Sequence, residues 1–324
     1  MKNTILWILK LGLSGLLIWF LLDSVDADAV LERVQGMDMG IAAVGLALLI
    51  VQVGVTMVRW QIALRGIDGW LNHSDAFRYI YMGIFFSQTL PSSVGGDAVR
   101  MYKGYKRGLT LSQSINGVML DRVATVLALA FLVAVMTPFI WSRTGDMALV
   151  LPFLAIALGG VAGLCLLMLL DRLPAALQKW RVVRGLGQLA TDTRRLFLTP
   201  RYSLPLLLVS VIGHINVSAA VYFFAKAMGL HGIGLADCIA LFPPVLLLTT
   251  IPISVAGWGV REAAMVAAFA FIGVADADAF SLSLIFGVAV VVSSLPGGLI
   301  FLLSNDRNIK ELPSDPVSDP QSGA

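Results

Sequence analysis

Two eleven-residue runs carry the residue types in this sequence best suited to chemistry. Leu90-Pro91-Ser92-Ser93-Val94-Gly95-Gly96-Asp97-Ala98-Val99-Arg100 aligns without gaps on Ile251-Pro252-Ile253-Ser254-Val255-Ala256-Gly257-Trp258-Gly259-Val260-Arg261, matching at six positions at an offset of 161 residues. In each run a proline removes a backbone donor and disfavours continued helix. Gly95, Gly96, Gly257 and Gly259 permit unusual dihedrals and close approach by a ligand. A helix restarting near Asp97, and another near Gly259, would point free N–H groups and the positive end of its dipole at an anion. Arg100 and Arg261 fall in the first turns of those helices. The opposing reading is two tight turns whose arginines snorkel to headgroups. Their pairing in one chain favours an anion site, with a lipid phosphate as the expected ligand group.

Other charges in apolar surroundings need partners. Asp121 and Arg122 open an apolar run and are expected either to pair with Arg100 and Asp97 or to anchor at the interface. Glu262 can neutralise Arg261 or carry a proton. The candidate substrate-binding set is therefore Pro91, Ser93, Gly95, Gly96, Asp97, Arg100, Asp121 and Arg122, with Pro252, Ser254, Gly257, Gly259, Arg261 and Glu262. Arg59 and Trp60 read as an interfacial anchor. Lys10 lies within an apolar run and reaches either a cavity or headgroups. His214 and Asn216 are expected to hydrogen-bond between helices, with a proton relay as the alternative. Cys165 and Cys238 read as packing residues, and His73, His214 and His231 make no metal-ligand spacing. No metal and no cofactor is expected. No Walker loop, HExxH, GxSxG or nucleotide fingerprint is present, so no enzyme activity is expected.

These residues sit in a chain built for the bilayer. Apolar residues make up 58% of 324, charged residues only 13%, and mean hydropathy is +0.85. A soluble domain carries about 25% charged residues. The net charge of +3 gives no basis for nucleic-acid binding. About 20 apolar residues cross the hydrocarbon core as a helix, and six runs qualify: 5–22, 40–58, 117–140, 147–170, 204–228 and 281–303. The first is taken as a retained span rather than a signal peptide, because Lys10 interrupts it and acids crowd the Ala27-Asp28-Ala29 site.

Excess Lys and Arg mark cytoplasmic segments. By that rule 59–78, 97–110, the loop 171–203 and the tail after 304 lie inside, whereas the acidic loop 23–39 and Asp276/Asp278 lie outside. Residues 79–96 then join two cytoplasmic segments and must enter and leave on one face. The stretch 235–275, between two outside segments, either dips in as a second hairpin or crosses twice with short helices; its halves, 238–251 and 262–275, are short for spans and favour the hairpin. The expected location is the bacterial cytoplasmic (inner) membrane, with both termini cytoplasmic. The tail 305–324, with Pro313, Pro316 and Pro320 among Ser and Asp, reads as disordered.

The same offset relates larger elements. Span 40–58 maps onto the span at 204–228, and 117–140 onto 281–303. The predicted architecture is an all-α polytopic membrane protein of two inverted repeats, about 1–145 and 146–304. Each has three transmembrane helices and one re-entrant helical hairpin, in a single membrane domain over 1–304. Inverted repeats with broken helices near the midplane are typical of secondary transporters.

Arg59-Trp60, the run 90–100, Asp121-Arg122 and Pro252 through Gly257-Trp258-Gly259-Val260-Arg261-Glu262 resemble the lysylphosphatidylglycerol synthase transmembrane family, also called the flippase-like domain family. The resemblance extends from about residue 5 to 304. Ile253 and Ala256 depart from the first copy, where Ser92 and Gly95 stand. In bifunctional members this membrane part is a lipid flippase followed by a soluble aminoacyl-transferase domain. The resemblance here is to a stand-alone member lacking that domain. It implies a translocase for a phosphate-containing lipid, whether phospholipid or polyprenyl-phosphate glycolipid. A proton-coupled transporter for a small anion and a non-transporting accessory protein are the alternatives. Its expected partner is a membrane lipid substrate, and a homodimer or a biosynthetic membrane partner is compatible with the sequence.

Overall fold

The computed structural model describes residues 35–89, 95–145, 147–172, 181–250 and 257–304. In hydrocarbon no water can satisfy backbone N–H and C=O groups, so a crossing segment must bond within itself as a helix. The described elements follow that rule: ten α-helices and one 3₁₀ turn, with no strand among the described residues. In order these are α1 (Met39–Arg65), α2 (His73–Thr89), α3 (Gly95–Lys106), α4 (Leu111–Thr144), α5 (Met147–Met168), α6 (Arg181–Phe197), α7 (Pro200–Ala227), α8 (Leu235–Thr250), α9 (Val260–Ala270) and α10 (Asp276–Leu303). The 3₁₀ turn is Leu170–Arg172.

Helices α1, α4, α7 and α10 are long and apolar enough to cross a membrane. They fall on four of the six expected spans. The run 147–170 falls on α5, and 5–22, with Lys10, lies outside the described residues, as does the tail 305–324. Side chains such as Leu158, Leu204 and Leu303 stand exposed on these helices, as lipid-facing residues do. The chain is an all-α integral membrane protein.

Local signals set the helix ends. Asp38 caps α1 by accepting from the N–H of Gly40 at 2.8 Å and of Ile41 at 3.1 Å. Thr110 and Gln113 form a reciprocal capping box at the start of α4, satisfying two otherwise orphaned donors. Gly145, in the left-handed region at φ 64°, stops that helix without the Cβ clash other residues would meet.

Helices α1 and α7 pack antiparallel. The N–H of Asp38 donates to the Ala227 carbonyl at 2.8 Å, Gly45 lies against the Phe224 ring, and Nδ2 of Asn216 donates to the Leu48 carbonyl at 2.9 Å. Positions rise along α1 as they fall along α7. His214 Nε2 lies 3.1 Å from the Thr125 carbonyl on α4. Both His214 and Asn216 thus bond between helices, as expected.

Two short helix pairs are held in this frame. α2 packs on α3 and α8 packs on α9, while α10 touches both α2 and α9 and α4 touches both α3 and α8. Contact between α2 and α10 is backbone-close: a Cβ on Gly297 would lie 2.1 Å from the Tyr81 carbonyl oxygen.

Charge counting misplaces two boundaries. The segment read as cytoplasmic from residue 59 begins inside α1, which continues to Arg65. Arg59 is paired within the protein and does not mark a helix end. The loop expected over 171–203 holds α6, tied down by Arg194 to Asp171 and Arg195 to Asp68.

Candidate functional site

The structure brings the first-half candidates together. Helix α3 begins at Gly95, and Gly96 lets it lie against α2, since a Cβ there would sit 2.0 Å from the Gly83 carbonyl oxygen. Only glycine permits that approach. It carries Asp97 and Arg100 to the side of α4, where Asp121 and Arg122 sit, and beside α1, which supplies Arg59.

Five charged side chains form an alternating row. Asp121 accepts from Arg59 Nε at 2.7 Å and from Arg100 Nη2 at 2.9 Å. Asp97 accepts from Arg100 Nη1 at 3.3 Å, and from Arg122 Nε at 2.8 Å and Nη2 at 3.0 Å. Arg59, Asp97, Arg100 and Asp121 are buried, whereas the Arg122 side chain is 47% exposed. Three guanidiniums against two carboxylates leave this row one positive charge in excess. The Arg100 guanidinium also stands over the Trp60 ring, 4.6 Å from its centroid. Its Nε is buried with no hydrogen-bond partner among the described residues.

A cavity of about 180 Å³ opens on this row, lined by Thr56, Arg59, Ile80, Gly83, Ser87, Gly96, Asp97, Arg100 and Arg122, among others. A space with excess positive charge and a helix N-terminus at its wall suits an anion. The expected pairing of Asp121 and Arg122 with Arg100 and Asp97 is present. The reading of Arg59 and Trp60 as an interfacial anchor is overturned: both are buried, Trp60 completely. A buried carboxylate draws in more than one cation, and Asp121 recruits Arg59 from the neighbouring helix. Sequence reasoning also missed Thr56, Gly83 and Ser87. A Thr and a Ser, polar types on apolar helices, were the available signal.

The second-half candidates assemble separately and differently. Gly257 and Gly259 have φ of 82° and 84°, a region that disfavours side chains, and Gly259 caps α9. Glu262 reaches back to accept from the Gly259 N–H at 2.6 Å. Arg261 donates to Glu262 Oε1 at 2.5 Å and to Ser283 Oγ at 3.1 Å. Its guanidinium stands 4.6 Å over Trp258. Gly287 of α10 leaves room for it, since a Cβ there would lie 2.2 Å from Arg261 Nη2. One arginine and one glutamate cancel, and the cluster is packed. Of the two charge roles open to Glu262, neutralising Arg261 is the one the contacts display. Trp258, Ser283 and Gly287 were not anticipated as its surroundings.

Pro91, Ser93, Pro252 and Ser254 lie outside the described residues. The described residues contain no group of three or more His, Cys, Asp or Glu arranged to hold a metal. Cys165 is exposed, Cys238 is buried, and neither is in a disulfide.

Comparison with known proteins agrees with the resemblance drawn from these motifs. A comparison with curated proteins finds no match. The family described as the lysylphosphatidylglycerol synthase TM region matches residues 7–298, a stretch that contains both charged clusters and every described helix up to the last turns of α10. The chain belongs to the lysylphosphatidylglycerol synthase transmembrane family.

Proposed function

We propose that this protein is a lipid translocase that moves a phosphate-containing lipid between leaflets of the bacterial cytoplasmic membrane. The observation that carries this reading is the cavity on the Arg59–Asp121–Arg100–Asp97–Arg122 row, with its excess positive charge. Buried charges are expensive in this solvent and mark substrate paths. The family's membrane-lipid association makes a lipid phosphate the natural anion.

Two inverted halves, each with a re-entrant hairpin, are part of the proposal. Adding 161 to the starts of α1, α2, α3 and α4 arrives within four residues of the starts of α7, α8, α9 and α10. The equivalent helices α1 and α7 run antiparallel, as inversion requires. Gln52 and Gly213 are counterparts at that offset (52 plus 161), and a Cβ on Gly213 would lie 3.0 Å from Gln52 Nε2. A residue touching its own counterpart is the signature of a two-fold axis. The packing is reciprocal too: α4 touches α3 and α8, as α10 touches α9 and α2.

Alternating access would rock one half against the other, with Arg100 and Arg261 serving opposite faces. The test is transbilayer exchange of a fluorescent phosphatidylglycerol in proteoliposomes. Combined Arg100→Ala and Arg261→Ala should slow exchange at least about tenfold, since a bond to a charged group contributes roughly 1.5–3 kcal/mol. Unchanged exchange removes the site assignment. Uptake of a soluble anion that collapses with the proton gradient would instead establish a small-anion transporter. A stoichiometric co-purifying enzyme with no exchange would establish an accessory protein.

A further inference from the structure

We infer that the outer face between α4 and α5 is a track for one acyl chain of a phospholipid whose phosphate is held at Arg122. A groove of about 360 Å³ runs there, and Arg122 lines both it and the polar cavity. The α4 wall is Met119, Arg122, Val123, Val126 and Leu127, a spacing that places all five on one helix face. The α5 wall includes Gly159, Gly163 and Leu164. A Cβ added at Gly159 or at Gly163 would meet no other atom within 4 Å, so the missing side chains leave the trough open.

The occupant follows from what the two ends of the groove offer. Arg122 uses Nε and Nη2 for Asp97, which leaves Nη1 for an anion where the groove meets the polar cavity. Beyond it every wall residue is apolar or glycine. Only an amphiphile with an anionic head satisfies both parts. From Arg122 to Leu127 the α4 wall runs about 7.5 Å, half the depth of one leaflet of a roughly 30 Å hydrocarbon core, so the groove seats the headgroup-proximal half of the acyl chain. The chain would then lie along α4 with its head at the cavity, so that the lipid enters sideways from its own leaflet. This rests on the translocase reading for its purpose but not for its geometry.

A phosphatidylglycerol carrying a diazirine midway along one acyl chain, incorporated in nanodiscs with the full-length protein, tests the placement directly. After irradiation, peptide mass spectrometry should find the label on Val126, Leu127 or Leu164. Label elsewhere with none in the groove overturns the inference, and is the result expected if segment 5–22 or a second copy of the chain covers it. Gly159→Leu with Gly163→Leu should reduce that labelling, and the exchange of fluorescent phosphatidylglycerol, at least about tenfold. Gly54→Leu, at another position with no atom within 4 Å of a new Cβ, should change neither. Groove labelling with no exchange in the wild type would keep the track and remove the translocase reading. Exchange that persists in the labelled-groove double variant would remove the track and keep the translocase.

Discussion

The carboxylate of Asp121 on α4 and the guanidinium of Arg100 on α3 meet at 2.9 Å, both buried. The bond ties the short helix that follows the first sequence break to a membrane-spanning helix. Asp121 holds Arg59 by its other oxygen at 2.7 Å, so three helices converge on one carboxylate.

Asp121→Asn should therefore be among the most damaging substitutions in the protein. It strips buried Arg59 of its carboxylate and leaves Arg100 only the longer 3.3 Å contact with Asp97, and breaking a buried pair in this way costs about 3–5 kcal/mol. Thermal unfolding in detergent reads the loss. A second change, Arg59→Gln, should recover part of it, because the stranded charge is then gone. If Asp121→Asn unfolds at the wild-type temperature, the row is not a structural tie.

Gly96→Ala should pry α3 from α2. Its new methyl would lie 2.0 Å from a backbone oxygen, which no rotamer change relieves, and strain of about 1–3 kcal/mol or more follows. Gly54→Ala, with open space around the new Cβ, should be neutral or stabilising by up to about 1 kcal/mol through helix propensity. The difference between the two unfolding temperatures is the measurement.

Trp258→Ala should cost about 2 kcal/mol of stability, the cation–π contribution of a ring stacked on a desolvated guanidinium. The ring lies 4.6 Å from Arg261. Trp258→Phe, which keeps an aromatic face, should recover more than half of that loss, and Trp258→Leu should recover less. Equal effects of Phe and Leu would mean that the ring only fills space.

Acid should loosen α6 before it disturbs the spans. Arg195 beside Asp68 and Arg194 beside Asp171 hold both carboxyls below their ordinary range, chiefly through side-chain hydrogen bonds. A depressed folded value means the contribution is complete above the unfolded value near 4 and is lost as pH falls through the folded one. Hydrogen exchange across 181–197 should stay slow at pH 6 and accelerate below about pH 4, with α1 and α7 unchanged. Asp68→Asn should bring the faster exchange of the loop end to neutral pH.

Topology reporters at Arg78 and at Tyr105 should read the same side of the membrane. The first lies in α2 and the second in α3, and a hairpin returns the chain to its starting face. Opposite sides would remove the re-entrant reading and, with it, the inverted halves.

The helical class, most of the spans and the near coincidence of α8 and α9 with the expected halves were legible because hydropathy and proline-glycine breaks act locally. The pairing of Asp121 with Arg100 was one of two readings open in the sequence, because an acid in an apolar run must either find a cation or reach the interface. The burial of Arg59 and Trp60 was not legible. The rule that reads basic residues as loop markers fails where a base is neutralised inside, and nothing local distinguishes the two cases. The asymmetry between the clusters was also hidden. Arg100 and Arg261 occupy matched sequence positions, yet Glu262 fully offsets one while the other shares its carboxylates with two further arginines. That balance depends on α1 and α4 coming to lie beside α3.

Helix α10 meets Arg261 at Gly287 and Tyr81 at Gly297, ten residues apart, or about 15 Å along one rod. That is half the thickness of the hydrocarbon core. At Gly297 the contact is with backbone and at Gly287 with a guanidinium, so neither end has slack to absorb a tilt. A rigid tilt of α10 would therefore disturb its seat on Arg261 and its seat on Tyr81 together, so the second cluster and the α2 end of the first share one strut.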